Sequence, residues 1–216
     1  VQSVVTQAAQ SVNTPLVIAV TDRLGNILAL FRKTGAPATA TGNFGASVSA
    51  DELAVALART GAFFSNDQAP LSSRTVRYIS GVHFPPGISF TPNAALYGIE
   101  NTNRGCPLNT SFIAGQTVPP ARSVNGSALG LGVITGKADL TDSDPTAVNP
   151  GGVPLFKQGR LVGGIGVVGP SADVSEFAAF SGATGAGFGP SPAAPGVVVV
   201  DGISLPFVNQ TTRPAG

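Results

Sequence analysis

Methionine and tryptophan are absent from this 216-residue chain, and histidine and cysteine occur once each. A lone Cys106 permits no intrachain disulfide and excludes a zinc site built on several cysteines. Charge is sparse as well: 11% of residues are Asp, Glu, Lys or Arg, and the net charge is +1. That balance leaves no basic footprint for nucleic acid. No run of 18 apolar residues occurs, so no apolar helix of bilayer length is expected. Lysine is confined to Lys33, Lys137 and Lys157, while Thr, Ser, Asn and Gln are abundant, which leans towards an exported protein. With no Met at its start, the chain reads as one that has lost a secretory signal peptide, or as a fragment that begins late.

Against these absences stand a hydrophobic fraction of 43%, which excludes a disordered chain, and 46 glycines and prolines. Such a composition describes a loop-heavy globular protein, or one whose surface is covered by copies of itself. The length suits a single core with a long insertion.

The stretch Gly151 to Gly169 organises the rest. Val153-Pro154-Leu155-Phe156 enters a turn at Lys157-Gln158-Gly159-Arg160, and Leu161 to Val168 returns as an apolar run. That run is short and rich in β-branched residues, so it reads as a buried strand. Glycines at 163, 164 and 166 weaken a strand unless another backbone, a helix or a ligand comes close. Gly164-Ile-Gly166-Val-Val-Gly169 also satisfies the dinucleotide pattern G-x-G-x-x-G. That pattern needs its glycines in a loop opening a helix, and here they lie within the strand with Pro170 directly after.

Apolar spacing predicts a first helix over residues 1–11, then a hairpin of Leu16–Asp22 and Ile27–Arg32 turning at Gly25-Asn26. Residues 35–49 read as a loop. Ser49 with Glu52 forms a capping box for a helix from Ala50 to Phe63–Phe64, and a further helix is expected over Leu71–Ile79. From Gly81 to Pro150 regular structure is hard to find; Pro-Pro and Pro-Gly steps punctuate what reads as a functional insertion or an interface segment. Ser171 or Asp173 can cap a helix carrying Val174, Phe177, Ala178 and Phe180. Domain limits follow: one domain over 1–182, and a Gly/Pro-rich extension over 183–216. Within that extension Val197–Val200 and Ile203–Val208 read as an edge strand, or as a strand lent to a neighbouring subunit.

Four segments resemble the haem-binding and haem-degrading family typified by GlcG and HbpS. They are Val17-Ile-Ala-Val-Thr-Asp-Arg-Leu-Gly-Asn-Ile-Leu-Ala-Leu-Phe-Arg32, Ala56-Leu-Ala-Arg-Thr-Gly-Ala-Phe-Phe64, Gly151-Gly-Val-Pro-Leu155 with Gly159, and Leu161-Val-Gly-Gly-Ile-Gly-Val167 followed by Asp173. The resemblance covers about half of the chain, in the family's order. It departs where the helix motif's Lys is Ala58, beside Arg59, and where the strand motif's final Ser is Val168. The resemblance implies an α+β fold: a profilin-like three-layer α/β/α sandwich around an antiparallel sheet, assembled into homo-oligomers. It also implies haem binding, with no family ligand that can be placed on a position here.

Residues able to carry such chemistry are few. His83 is the only common strong neutral haem ligand and the candidate metal ligand; a loop His bonded to a carbonyl is the alternative. Cys106 could ligate as thiolate or lie buried and inert, and Tyr97 and Tyr78 offer oxygens. Arg59, Arg74, Arg77 and Arg104 could grip propionates, or pair with Glu52, Asp67 or Glu100. Phe63, Phe64 and Phe84 could wall a pocket, or serve as core. Asp139, Asp142 and Asp144 lack the Gly and distal Glu of a calcium loop. No Gly-x-Ser-x-Gly elbow is present, and no catalytic constellation emerges. Two readings result: an exported oligomer binding haem or a similar planar apolar ligand between the second helix and the sheet, or a cofactor-free structural subunit of an extracellular assembly.

Overall fold

A computed structural model of the chain describes residues 1–42, 46–79, 148–190, 195–209 and 212–214. Helix α1 (Gln2–Ser11) leads into strands β1 (Val17–Asp22) and β2 (Ile27–Arg32), then a short pair, β3 (Thr39–Gly42) and β4 (Ala46–Ser49). Helices α2 (Ala50–Phe64) and α3 (Ser73–Ile79) follow. Beyond residue 147 come β5 (Gly152–Lys157), β6 (Arg160–Val168), α4 (Ala172–Gly185), β7 (Val197–Val200) and β8 (Ile203–Pro206).

Two local hairpins build the main sheet, in the antiparallel order β2-β1-β6-β5. Asp22 organises the first turn: its carboxylate accepts the N–H groups of Leu24 and Asn26, each at 2.8 Å, and the Asn26 side-chain amide at 2.7 Å. The second turn has positive φ at both Gln158 (51°) and Gly159 (74°), the twist that suits a two-residue hairpin. Along β1 the faces alternate. Ile18 and Val20 join the core with α1 and α4, while Val17 and Ala19 join the core with α2. Both faces are covered, so β1 reads as a continuous apolar run and the fold is a three-layer α+β sandwich.

The glycines of β6 serve the α2 layer. A Cβ on Gly164 would fall on the carbonyl oxygen of Ala58, and one on Gly166 on that of Ala54. Four residues of helix rise about 6 Å and two of strand about 6.6 Å, so the two small-residue rows keep step. Helix and sheet therefore meet backbone to backbone. Along Ala54 to Ala62 that contact leaves no gap for a planar ligand between helix and sheet, so any opening lies beyond it, at the end of β6.

Two expectations are corrected by hydrogen bonding. Residues 35–49 are not all loop: β3 and β4 pair from Thr39↔Ser49 to Gly42↔Ala46, and Ala40 and Val48 pack beside α2. Strands of Thr, Ala and Ser bury too little to leave a hydrophobic signature. The tail adds no strand to the main sheet. Asp201 (φ 49°) and Gly202 (φ 79°) close β7 and β8 into their own hairpin, which the Asp-Gly pair favours. Val198, Leu205, Phe207 and Val208 then join the core of α1 and α4. Ser72 Oγ donates to the Phe207 carbonyl at 2.6 Å and Thr75 Oγ1 to that of Pro206 at 2.7 Å, so α3 fastens the tail to its own chain.

The two edges of the main sheet differ. On β5, Gly152 N–H donates to Ser73 Oγ, Pro154 has no N–H, and Phe156 N–H donates to the Phe188 carbonyl. On β2 most residues are exposed, with Leu28, Leu30 and Phe31 each 40–49% accessible.

Candidate functional site

A cleft of about 370 Å³ opens at the end of the sheet where β6 finishes. Its walls are Leu53 and Leu57 of α2, Thr39 to Thr41 of β3, Val167 and Val168 of β6, and the connection Gly169 to Ala172 into α4, with Asn149 and Pro150 at one side. Local chemistry fixes that shape. Gly151, at φ 127°, turns the chain tightly against β6, where its missing Cβ would meet the Val167 carbonyl and Ser175. Ser171 caps α4 by accepting the Val174 N–H at 3.3 Å. Ser175 Oγ accepts from Gly169 N–H at 2.9 Å and donates to the Ser171 carbonyl at 2.8 Å. These hydroxyls are thus occupied in holding the wall together.

Among the described residues the lining holds no acid, base, histidine, cysteine or tyrosine. Leu53, Leu57, Val167 and Val168 give it one aliphatic wall, and neutral polar groups of Thr39, Thr41, Asn149 and Ser171 make up nearly as much of its surface. Among the described residues no cluster of three or more His, Cys, Asp and Glu could hold a metal ion, and no helix is long and apolar enough to cross a membrane.

The residues singled out from sequence fall in several places. Phe63 and Phe64 end α2 away from the cleft; Phe63 lays its ring against Gly25 while 45% exposed, and Phe64 is half-buried. Arg74 grips Glu176 bidentately, Nε to Oε1 and Nη2 to Oε2 at 2.8 Å each. That hydrogen-bonded pairing raises the Arg74 pKa despite partial burial, with Asp173 adding a smaller charge effect. The partner is none of the acids that sequence neighbourhood offered. Arg59 is buried, donates Nε–H to the Gly25 carbonyl at 3.0 Å, and has its pKa lowered by desolvation. Asp67 accepts the Leu161 N–H at 2.8 Å, and Tyr78 packs against the core of α1 and α4. His83, Phe84, Tyr97, Arg104, Cys106 and the three Asp of 139–144 lie outside the described residues. The cleft residues Thr39, Thr41 and Asn149 carried no sequence signal, being small polar residues far apart in the chain; Ser171 did, as a helix cap.

No protein-family model matches the chain, and no curated protein does. Solved structures do, at probability 1.00. The Klebsiella pneumoniae protein ORFY, of family model DUF336, is 18% identical over 85% of this chain and 88% of that one, with a TM-score of 0.43. A PduOC:haem complex is 16% identical over 85% and 88%, at 0.42. HbpS, a namesake of the family that the four segments resemble, is 18% identical over 85% and 86%, at 0.41. With TM-scores this low the likeness bears no weight, and the α+β sandwich described above rests on this chain's own pairing and packing.

Proposed function

We propose that this chain is a haem-binding protein of the GlcG/HbpS type, or one that takes a planar apolar ligand of similar shape. The cleft supplies an apolar wall. Its described lining does not fit haem unaided, since no residue there can ligate iron or pair with a propionate. One observation carries the reading: Asn149 and Pro150, which line the cleft, follow directly on the segment 80–147 that holds the chain's single His and single Cys. On this reading His83 is the iron ligand, with Tyr97 and Cys106 as the alternatives within the same segment. No reaction is assigned. Export and self-association belong to the same proposal, supported by the scarcity of Lys and charge.

The test is a haemin titration followed by absorption. A saturable Soret band at one haem per chain or per dimer, shifted in His83→Ala, is the expected result. Absence of any saturable band sinks the proposal; an unshifted band in His83→Ala removes that residue as ligand. The structural-subunit reading draws less support, because Ser72 and Thr75 hold the tail to its own α3 instead of leaving it to be lent.

A further inference from the structure

Strand β2 has the sequence of an interior strand and the position of an edge strand. Ile27-Leu28-Ala29-Leu30-Phe31 carries no charged or polar residue, the near-continuous apolar run of a strand covered on both faces. Natural sheet edges are blunted by lysine, proline, a bulge or a covering loop. β5 follows that rule through Pro154, Ser73 and Phe188, whereas β2 has only the register shift beside Leu28, at its start. Register assigns the faces: Leu30, opposite Ala19, lies on the α2 side, and Phe31, opposite Ile18, on the side of α1 and α4. Both remain 40% exposed, and Leu28, left without an opposite residue by the shift, 49%. Backbone direction is fixed by Lys33, whose N–H donates to the Leu16 carbonyl at 2.9 Å. Amides alternate along an antiparallel strand, so Phe31 and Ala29 also point to β1, while Leu30 and Arg32 point outward. Among the described residues no strand pairs with that outer side.

A second copy supplies a matching strand, because β2 is complementary to itself about Leu30. A two-fold axis at that residue sets Leu30 opposite the partner's Leu30, exchanging their outward N–H and C=O groups, and Arg32 opposite the partner's Leu28. On the side of α1 and α4, Phe31 then lies across from the partner's Ala29, a small residue that leaves room for the ring. Charge permits the approach. Arg32 is the one charge on β2, and its Nε lies 2.8 Å from Asp51 Oδ1. The two arginines would stand about 13 Å apart along the pair, beyond the screening length. We propose that β2 pairs antiparallel with β2 of a second copy, centred on Leu30, so that two four-stranded sheets become one. A single strand pair is smaller than the roughly 800 Å² per partner of a standard interface, so a reversible dimer with a dissociation constant of roughly 1–100 μM is expected. This names the surface of the self-association proposed above and rests on that reading, but not on haem binding.

Analytical ultracentrifugation of the full chain over roughly 1–200 μM, without haemin, tests this. A monomer–dimer equilibrium is expected, and Leu30→Lys, which sets two like charges face to face, should weaken it at least roughly tenfold. Leu30→Cys in a Cys106→Ser background should cross-link across the axis under mild oxidation, since opposed hydrogen-bonded residues lie about 5.5 Å apart at Cα, within disulfide reach. Leu24→Cys, more exposed at 74% but off the axis, should not. A chain that stays monomeric throughout would overturn both this surface and the self-association. A dimer untouched by Leu30→Lys, and cross-linked no faster through Leu30→Cys than through Leu24→Cys, would overturn the surface alone. Slow labelling of the Leu30→Cys thiol in a monomer would mean that another part of the chain covers β2, and would equally overturn it.

Discussion

Replacing Arg74 with Ala strands the Glu176 carboxylate, which is 1% exposed and takes its two short hydrogen bonds from that guanidinium. Among the described residues only the Asn209 N–H, at 3.4 Å, remains as a donor. Removing one partner of a buried pair costs about 3–5 kcal/mol. The Arg74 side chain is 25% exposed, so water partly replaces it and the lower end, about 3 kcal/mol, applies. In a chain of this size that is a fall in Tm of roughly 6–12 °C. In the native chain the pairing raises the Arg74 pKa, so its contribution to stability is present below the ordinary arginine range and lost only at strongly alkaline pH; no pH-dependent step from this pair is expected near neutrality. Arg74→Met with Glu176→Leu should recover most of the loss. A loss below about 1 kcal/mol in urea unfolding at neutral pH would refute the buried-pair account.

Two further perturbations probe the layers. Gly164→Ala drives a methyl into the Ala58 carbonyl and should cost at least 1–3 kcal/mol, about the upper range for overpacking, whereas Gly159→Ala, in open space at φ 74°, should cost only about 1 kcal/mol; parallel melts decide. Phe207→Ala removes a fully buried ring from the core shared by the tail and α4, and should cost about 3–5 kcal/mol in urea unfolding; a loss near zero would mean that the tail does not dock.

Local signals carried much of the sandwich. The β1–β2 and β5–β6 hairpins were legible because apolar runs and turn residues lie within a few positions of each other, and Ser49 and Ser171 marked helix starts by chemistry that acts over three residues. The glycines of β6 announced a close approach without saying what came close. The answer lay in Ala54, Ala58 and Ala62, about a hundred residues upstream, whose four-residue step fits the two-residue step of the strand. Pairing over such distances leaves no local trace, which is why Arg74 and Glu176 were not matched, nor the cleft assembled from Thr39, Asn149 and Ser171. The Asp201-Gly202 turn was a different case, since its dipeptide is a hairpin signal in its own right, and the valines around it drew the reading towards a single strand.

The unequal edges of the sheet set a polarity on anything that would extend it. Every outward amide position of β5 is taken by Ser73, by Pro154's missing hydrogen or by Phe188, so that side is closed to addition. β2 offers its edge with Leu28 and Leu30 beside it. A sheet with one receptive side and one sealed side cannot propagate: two copies joined through β2 would use up all the capacity that either main sheet has. Strand pairing through the main sheet is therefore self-limiting at two, and longer assemblies would need another surface, such as the separate β7–β8 hairpin with its exposed Val197 and Val199.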